Sequence, residues 1–249
     1  MTSPGAPDNT HFEALTPGQA DYWRKMAAPR ARVAMITGLL QEWNPNSVID
    51  LGCGGGNLLV EVAASGAKAE LVGLDLSKPQ IERNRATMEN IEWGVTDLTA
   101  PDSLPETFCG RFDVVISSEV IEHVSDALGL LKTAYRVAVP GGRLVLSTQT
   151  GKIHETQRHV GHVRHFSTDD ITALLSETGW VPDRVWNCGF PFHALTKYAA
   201  NLGVKQVMHQ FSEQSYGRQE RFICWLTRLA YRFNSRKRGT QLYAIAYKP

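Results

Sequence analysis

Short apolar runs alternate with amphipathic stretches along the first two thirds of the chain. Val33, Ile36, Leu39, Leu40 and Trp43 recur at three- and four-residue spacing, which predicts helix from Pro17 to Trp43 with a break near Pro29. Compact apolar runs at Ser47–Asp50, Leu71–Leu74, Ile91–Val95, Phe112–Ile116 and Arg143–Ser147 predict strands. Between them Leu58–Ala64, Pro79–Met88 and Asp126–Val139 read as helices. In the last, Leu128, Leu131, Tyr135 and Ala138 share a face, and Pro140-Gly141-Gly142 closes it. Strands alternating with helices imply right-handed crossovers and a parallel sheet covered on both faces. After Ser147 the alternation loosens. A histidine-rich loop (Thr148–His165) precedes a helix opened by Ser167, with Asp170 at capping-box distance. Trp180–Trp186 reads as a strand, Phe192–Phe233 as two or three helices, and Gln241–Tyr247 as a final strand. Residues 1–16, polar with Pro4 and Pro7, read as a disordered lead-in. Residues 17–249 then form one domain with a helical cap insertion at about 190–236.

The 249-residue chain is long enough to bury a core without staples, and 43% hydrophobic with 20% charged residues is the balance of a globular protein. Cys53, Cys109, Cys188 and Cys224 are scattered and contain no C-x-x-C pair, so neither a zinc ribbon nor a disulfide scaffold fits. That usage points to a reduced, cytoplasmic setting. There is no basic-then-apolar leader and no run long enough to span a bilayer. Net charge is +1, but it is polarised. From Ala200 to Pro249 nine lysines and arginines face two acids, a net +7, which leaves −6 for the rest.

The sharpest feature is Asp50-Leu51-Gly52-Cys53-Gly54-Gly55-Gly56-Asn57, which follows a strand and opens a helix. Such glycines let a ligand approach the backbone. The third glycine of a dinucleotide fingerprint would fall at Asn57, and Asp50 would repel a pyrophosphate while attracting a cation. Asp75 closes the second strand, where it can accept both hydroxyls of a ribose. Asp97, in Thr96-Asp97-Leu98 after the third, can accept from an exocyclic amine. Three carboxylates at successive strand ends suit an adenosine carrying a positive group.

With these residues in place the chain resembles the class I S-adenosylmethionine-dependent methyltransferases over about Ser47 to Trp180, and most nearly the ubiquinone-pathway O-methyltransferase-like small-molecule enzymes. The resemblance implies a Rossmann-like, doubly wound, seven-stranded α/β sheet, parallel except for an antiparallel last strand, with a helical cap. It implies S-adenosylmethionine as methyl donor, held by Asp50, Gly52, Cys53, Gly54, Asp75, Leu76, Gln80, Thr96, Asp97, Leu98 and Glu119. The acceptor side is less marked, because an activated sulfonium needs alignment more than it needs a base. The expected acceptor is a small molecule, anionic or apolar, methylated at oxygen rather than nitrogen, with His162 and His165 as candidate bases.

Glu119, Glu122 and His123 also resemble the E-x-x-E-H run of small-RNA ribose 2′-O-methyltransferases, where with a histidine placed like His162 it holds a divalent metal. A metal-assisted RNA enzyme and a non-catalytic donor-binding regulator therefore stand as alternatives; no metal ligand is assigned. For Arg218–Phe233, whose Phe222, Trp225, Leu226, Leu229 and Phe233 form one stripe, three readings stay open. The stripe packs on the domain, or the helix faces a lipid-like substrate or membrane surface, or it contacts RNA backbone, which the lack of a stacking platform disfavours. Trp186, Phe190 and Phe192, with Tyr22 and Trp23, are candidates for an apolar acceptor pocket.

Overall fold

Residues 20–202 and 216–249 are described in the computed structural model, so the lead-in expected over residues 1–16 lies outside the described residues. The chain begins with α1 (Ala20–Lys25) and α2 (Ala27–Trp43). They are separated by Met26 in extended conformation rather than by a break at Pro29. Pro29 sits in the first turn of α2, where a missing N–H costs no intrahelical bond.

Seven strands follow as β1 (Ser47–Leu51), β2 (Glu70–Asp75), β3 (Glu92–Val95), β4 (Phe112–Ser118), β5 (Ala138–Gln149), β6 (Val181–Cys188) and β7 (Gln241–Tyr247). Their order in the sheet is β3-β2-β1-β4-β5-β7-β6. Pairs from β3 through β5 are parallel, and β7 is antiparallel to both β5 and β6. The helices α3 (Asn57–Ala64), α4 (Lys78–Thr87) and α5 (Ala127–Val137) are the crossovers. Every residue of β1 is buried, as covering on both faces requires. Two hydrophobic layers sandwich the sheet. One gathers Phe112, Leu130, Leu131, Ile171, Leu175 and Trp180; the other gathers Ile36, Leu59, Val62, Ile81 and Trp93.

α5 ends at Val137, and Pro140-Gly141-Gly142 lies inside β5 instead of closing the helix. Gly141, at φ 78°, coincides with the register shift between β4 and β5 near Phe112. An irregularity in the ladder, where β5 runs from Ala138 to Arg143 while β4 runs from Phe112 to Val114, takes up the turn that the sequence pattern assigned to a helix end. The capping box is present: α7 (Thr168–Glu177), which follows the short α6 (Glu155–His159), starts with Ser167 Oγ accepting from Asp170 N and Asp170 Oδ2 accepting from Ser167 N. Between β6 and β7 lie α8 (Phe192–Leu202) and α9 (Arg218–Tyr231). Among the described residues the apolar stripe of α9 does not pack on the domain. Trp225 is 58% and Phe233 73% exposed, while Cys224 on the opposite side is buried against Met26. No helix among the described residues is long and apolar enough to cross a membrane.

The chain runs outward through β2 and β3 on one side of β1 and through β4 and β5 on the other. The crevice beyond the carboxyl ends of β1 and β4 is thus the place where an open α/β sheet receives a ligand.

Candidate active site

A cavity of about 880 Å³ occupies that crevice, roofed by residues of α1, α2, α8 and α9. This is near the top of the 300–1,000 Å³ range of small-molecule sites. Its floor is the glycine loop. Gly52 has φ 82°, and a Cβ there would lie 2.4 Å from a methyl of Val120, so no side chain fits. Gly54, at φ 48°, has nothing within 4 Å of where its Cβ would be, which leaves its backbone facing the open cavity. The Gly54 N–H donates to Asp75 Oδ2 at 2.8 Å, and Ser77 N–H donates to Asp75 Oδ1 at 2.9 Å. Asp75 therefore ties the glycine loop to the start of α4 and lines the cavity.

Asp50 is 3% exposed, and burial first, then the charge of Asp75, push its carboxyl up to about 7. A cationic group placed nearby would draw that proton off. This floor fits an adenosyl donor: a bare backbone cradle, a carboxylate with free lone pairs, and a buried acid poised to meet positive charge. Cys53, Leu76, Gln80, Asp97, Leu98 and Glu119 line the same cavity. Thr96 does not. Its side chain is buried and its N–H extends the ladder to the Asp75 carbonyl. Asp97 is exposed, and its Oδ1 accepts from both N and Oγ1 of Thr99, which leaves one carboxylate oxygen for a ligand.

Glu119 follows β4 in the left-handed region, at φ 59°. Its carboxylate accepts from Gln241 Nε2 at 2.8 Å, Gln149 Nε2 at 3.0 Å and Ser147 Oγ at 3.2 Å, with Arg32 at 3.8 Å. Burial alone would raise its pKa, but Arg32 and the two amides outweigh it and hold Glu119 at about 2. Glu122 is driven the other way, well above the usual carboxylate range, by burial and then by Glu119. Its Oε2 accepts from Thr148 Oγ1 at 2.8 Å, while its buried Oε1 has no partner.

Beyond these acids lie the histidines. His165 Nδ1 is 2.9 Å from the Gly151 carbonyl, which can only accept, so Nδ1 carries the proton. His165 Nε2 then accepts from His162 Nδ1 at 3.0 Å, which leaves the lone pair of His162 on Nε2. Burial, foremost, pulls His162 down to about 3 and His165 down to about 4, so both rings are neutral near pH 7. His162 lines the cavity; His165 stands behind it and fixes its tautomer. Glu122, His123 and His162 offer ligand atoms within 4.8 Å of one another.

Several wall residues carried no sequence signal: Arg32, Gln149, Gln157, His193, Lys197 and Tyr231. Arg32, His193, Lys197 and Tyr231 lie in helices with no motif marking them, and Gln149 and Gln157 sit in the histidine-rich stretch without a pattern of their own. Lys197 is the most consequential, a cation in an apolar setting that burial pulls down to about 8 against the charges of Glu119 and Glu122. Of the expected aromatic group Trp23 lines the cavity, the side chain of Tyr22 lies outside the described residues, and the other three stand elsewhere. Trp186 stacks on Tyr243 at 5.5 Å, Phe190 is exposed, and neither they nor Phe192 line the cavity. Trp23, Met26, Ile36 and Ile223 do, because it is α1, α2 and α9 that close over the crevice.

A family model described as a methyltransferase domain matches residues 7–185, more than half of the chain. A ubiquinone biosynthesis O-methyltransferase of Pseudomonas paraeruginosa is 35% identical over 106 residues, 41% of this chain and 44% of the relative. One from Psychrobacter cryohalolentis is 35% identical over 104 residues, 41% and 40% of the two chains. The chain thus spans less than half the length of these curated relatives. Among solved structures, the cyclase SpnF superposes with a TM-score of 0.64 at 16% identity, over 100% of this chain and 99% of that one. A 1,6-didemethyltoxoflavin-N1-methyltransferase of Burkholderia thailandensis does so at 0.61 and 15%, over 100% and 93%. At such identities the structural likeness speaks for the fold alone. The family match, read with the cradle and acids described above, makes this chain a member of the methyltransferase-domain family.

Proposed function

We propose that the protein methylates oxygen on a small molecule with an apolar body and an acidic hydroxyl. The observation that carries this reading is Lys197, a half-buried cation among neutral histidines in a largely apolar cavity. Asp75 would hold the ribose of the donor. The free oxygen of Asp97, with Leu76 and Leu98, would border its base. Asp50, Gly52, Cys53, Gly54, Gln80 and Glu119 would complete that half. Bound there, the donor supplies a methyl group on a positively charged sulfur. His162 Nε2 accepts the hydrogen bond of the acceptor hydroxyl and orients its lone pair. A base held near 3 is too weak to remove a phenolic proton outright, so stabilising the oxyanion falls to the Lys197 ammonium. A protonated amine would meet a like charge instead, which favours oxygen over nitrogen, in keeping with the O-methyltransferase relatives.

Lys197→Met is expected to lower kcat/KM for a phenolic acceptor by roughly 10- to 100-fold, the worth of one charged hydrogen bond, with donor affinity unchanged. Because the ammonium is lost as pH rises through about 8, wild-type activity falls along that limb and the variant lacks it. An acceptor panel in which amines outpace phenols, or a Lys197→Met enzyme as active as wild type, would remove the proposal.

One observation favours a second reading. A carboxylate and two imidazoles from Glu122, His123 and His162, with the unpartnered Glu122 Oε1 among them, have the donor chemistry of a divalent-cation site. An ion there would polarise a hydroxyl, including a ribose hydroxyl of RNA. Exhaustive chelation separates the two readings. Activity that survives it unchanged supports Lys197, and activity lost and restored by Mn²⁺ or Zn²⁺ supports the metal.

A further inference from the structure

The helix that roofs the cavity has a second side. α9 turns Glu220, Cys224, Thr227 and Tyr231 toward the cavity. Its outward face carries Phe222, Trp225, Leu226 and Leu229, continued by Phe233 in the turn just past its end, each between 40% and 73% exposed. Phe222 and Trp225 stack with ring centroids 5.9 Å apart, forming a flat outer surface. Five large apolar side chains on one stripe are not the scattered exposures of an ordinary surface. Along one edge of that stripe, at three-, four- and seven-residue spacing, run the exposed Arg218, Arg221, Arg228 and Arg232. None of the four is ion-paired with a carboxylate among the described residues. Arg236, Lys237 and Arg238 follow directly and are exposed as well.

We propose that the outer face of α9 docks this enzyme on an anionic lipid bilayer. Rings and aliphatic chains would enter the interface while the guanidinium row meets lipid phosphates, the arrangement of helices that lie in a membrane surface. Charge decides for lipid over a second copy of the chain. An antiparallel two-fold contact on this stripe would set each arginine row against its own copy, whereas an anionic surface neutralises it. Docking also puts the cavity roof at the bilayer, so an apolar acceptor could pass from lipid into the site; that last step alone rests on the acceptor proposed above.

The test uses the whole protein, without acceptor, in flotation with phosphatidylcholine vesicles and with vesicles in which roughly a third of the lipid is phosphatidylglycerol. Wild type should float with the anionic vesicles only, and high salt should weaken the partition. The Phe222→Ala/Trp225→Ala variant should partition about 10-fold less, as expected when two rings no longer bury apolar area. Neither residue lines the cavity, so melting temperature and S-adenosylhomocysteine binding should hold. Arg221→Gln/Arg228→Gln should also bind less and show a flatter salt dependence. Wild type remaining unbound, or a double variant that floats like wild type, overturns the proposal. So does a wild-type dimer that the aromatic variant splits, since a second copy then covers the face. Trp225 emission, taken as wild type minus Trp225→Ala, should be open to a soluble quencher in the vesicle-free monomer; if it is shielded, the chain itself covers the face and the proposal fails.

Discussion

Asp75→Ala is expected to lower the affinity for S-adenosylhomocysteine by at least about 100-fold. Asp75 stands at the end of β2 with one oxygen on Gly54 N–H and the other on Ser77 N–H. Each carboxylate oxygen keeps a lone pair for a ribose hydroxyl. A hydrogen bond to a charged group contributes about 1.5–3 kcal/mol, and two such bonds together correspond to a factor of 100 or more. The loss has a second source. Without the carboxylate the Gly54 N–H has no side-chain acceptor, and the cradle loses one of its ties to the α4 end of the crevice, keeping the bond from Asn84 Nδ2 to the Gly54 carbonyl at 2.8 Å. Asp75→Asn keeps one acceptor oxygen and the side-chain volume, so its affinity should fall between alanine and wild type. Folding should suffer less than binding, because burial already pushes the Asp75 carboxyl above its usual range and the lost charge was costly to bury. Isothermal titration with each variant, beside its melting temperature, gives the comparison. An alanine variant that binds within a few-fold of wild type and remains folded would show that Asp75 does not hold the donor.

The donor half was legible because its residues are local. The glycine loop and Asp75 each sit at the carboxyl end of a strand that apolar periodicity marks, so knowing the strands places them in one crevice. Thr96 breaks the pattern. It lies just past β3, where its N–H extends the sheet ladder to the Asp75 carbonyl and its side chain is buried away from the cavity wall. The acceptor half depends on long-range folding. The partners of Glu119 arrive from 30 and 122 residues away, at Gln149 and Gln241, and no spacing rule joins them. Arg32 and Lys197 lie in helices whose sequence says only that they are amphipathic. That ambiguity also left the readings of α9 open. A periodic stripe establishes two faces but not which one turns inward, and here the inward neighbour is a cavity, so the mixed face with Glu220, Thr227 and Tyr231 goes in.

Glu119→Ala is expected to be the most destabilising single change in the cavity wall, costing about 3–5 kcal/mol, the loss recorded when one partner of a buried ion pair is removed. The truncation leaves Arg32, 7% exposed and with its guanidinium facing the Trp23 ring at 5.6 Å, without its carboxylate. It also takes the acceptor away from the amides of Gln149 and Gln241. For a chain of this size the melting temperature should fall by roughly 10 °C or more. Backbone conformation adds a discriminating detail. Residue 119 is left-handed, so Glu119→Gly should be more stable than Glu119→Ala by about 1 kcal/mol, the reverse of the order in a helix. The pH dependence has a definite sign. Glu119 is held at about 2, below the ordinary carboxylate value of 4.5. Its contribution is complete above that ordinary value and disappears as pH falls through about 2, a span worth about 3 kcal/mol. Glu122, pushed upward, contributes in the opposite sense: its share is present at low pH and is lost as pH rises. Wild-type acid unfolding alone would mix the two. The difference between wild type and Glu119→Gln isolates the first, and it should shrink steadily from pH 5 to pH 2. A difference that stays flat across that range would mean that the Glu119 charge does not hold Arg32 and the two glutamines together.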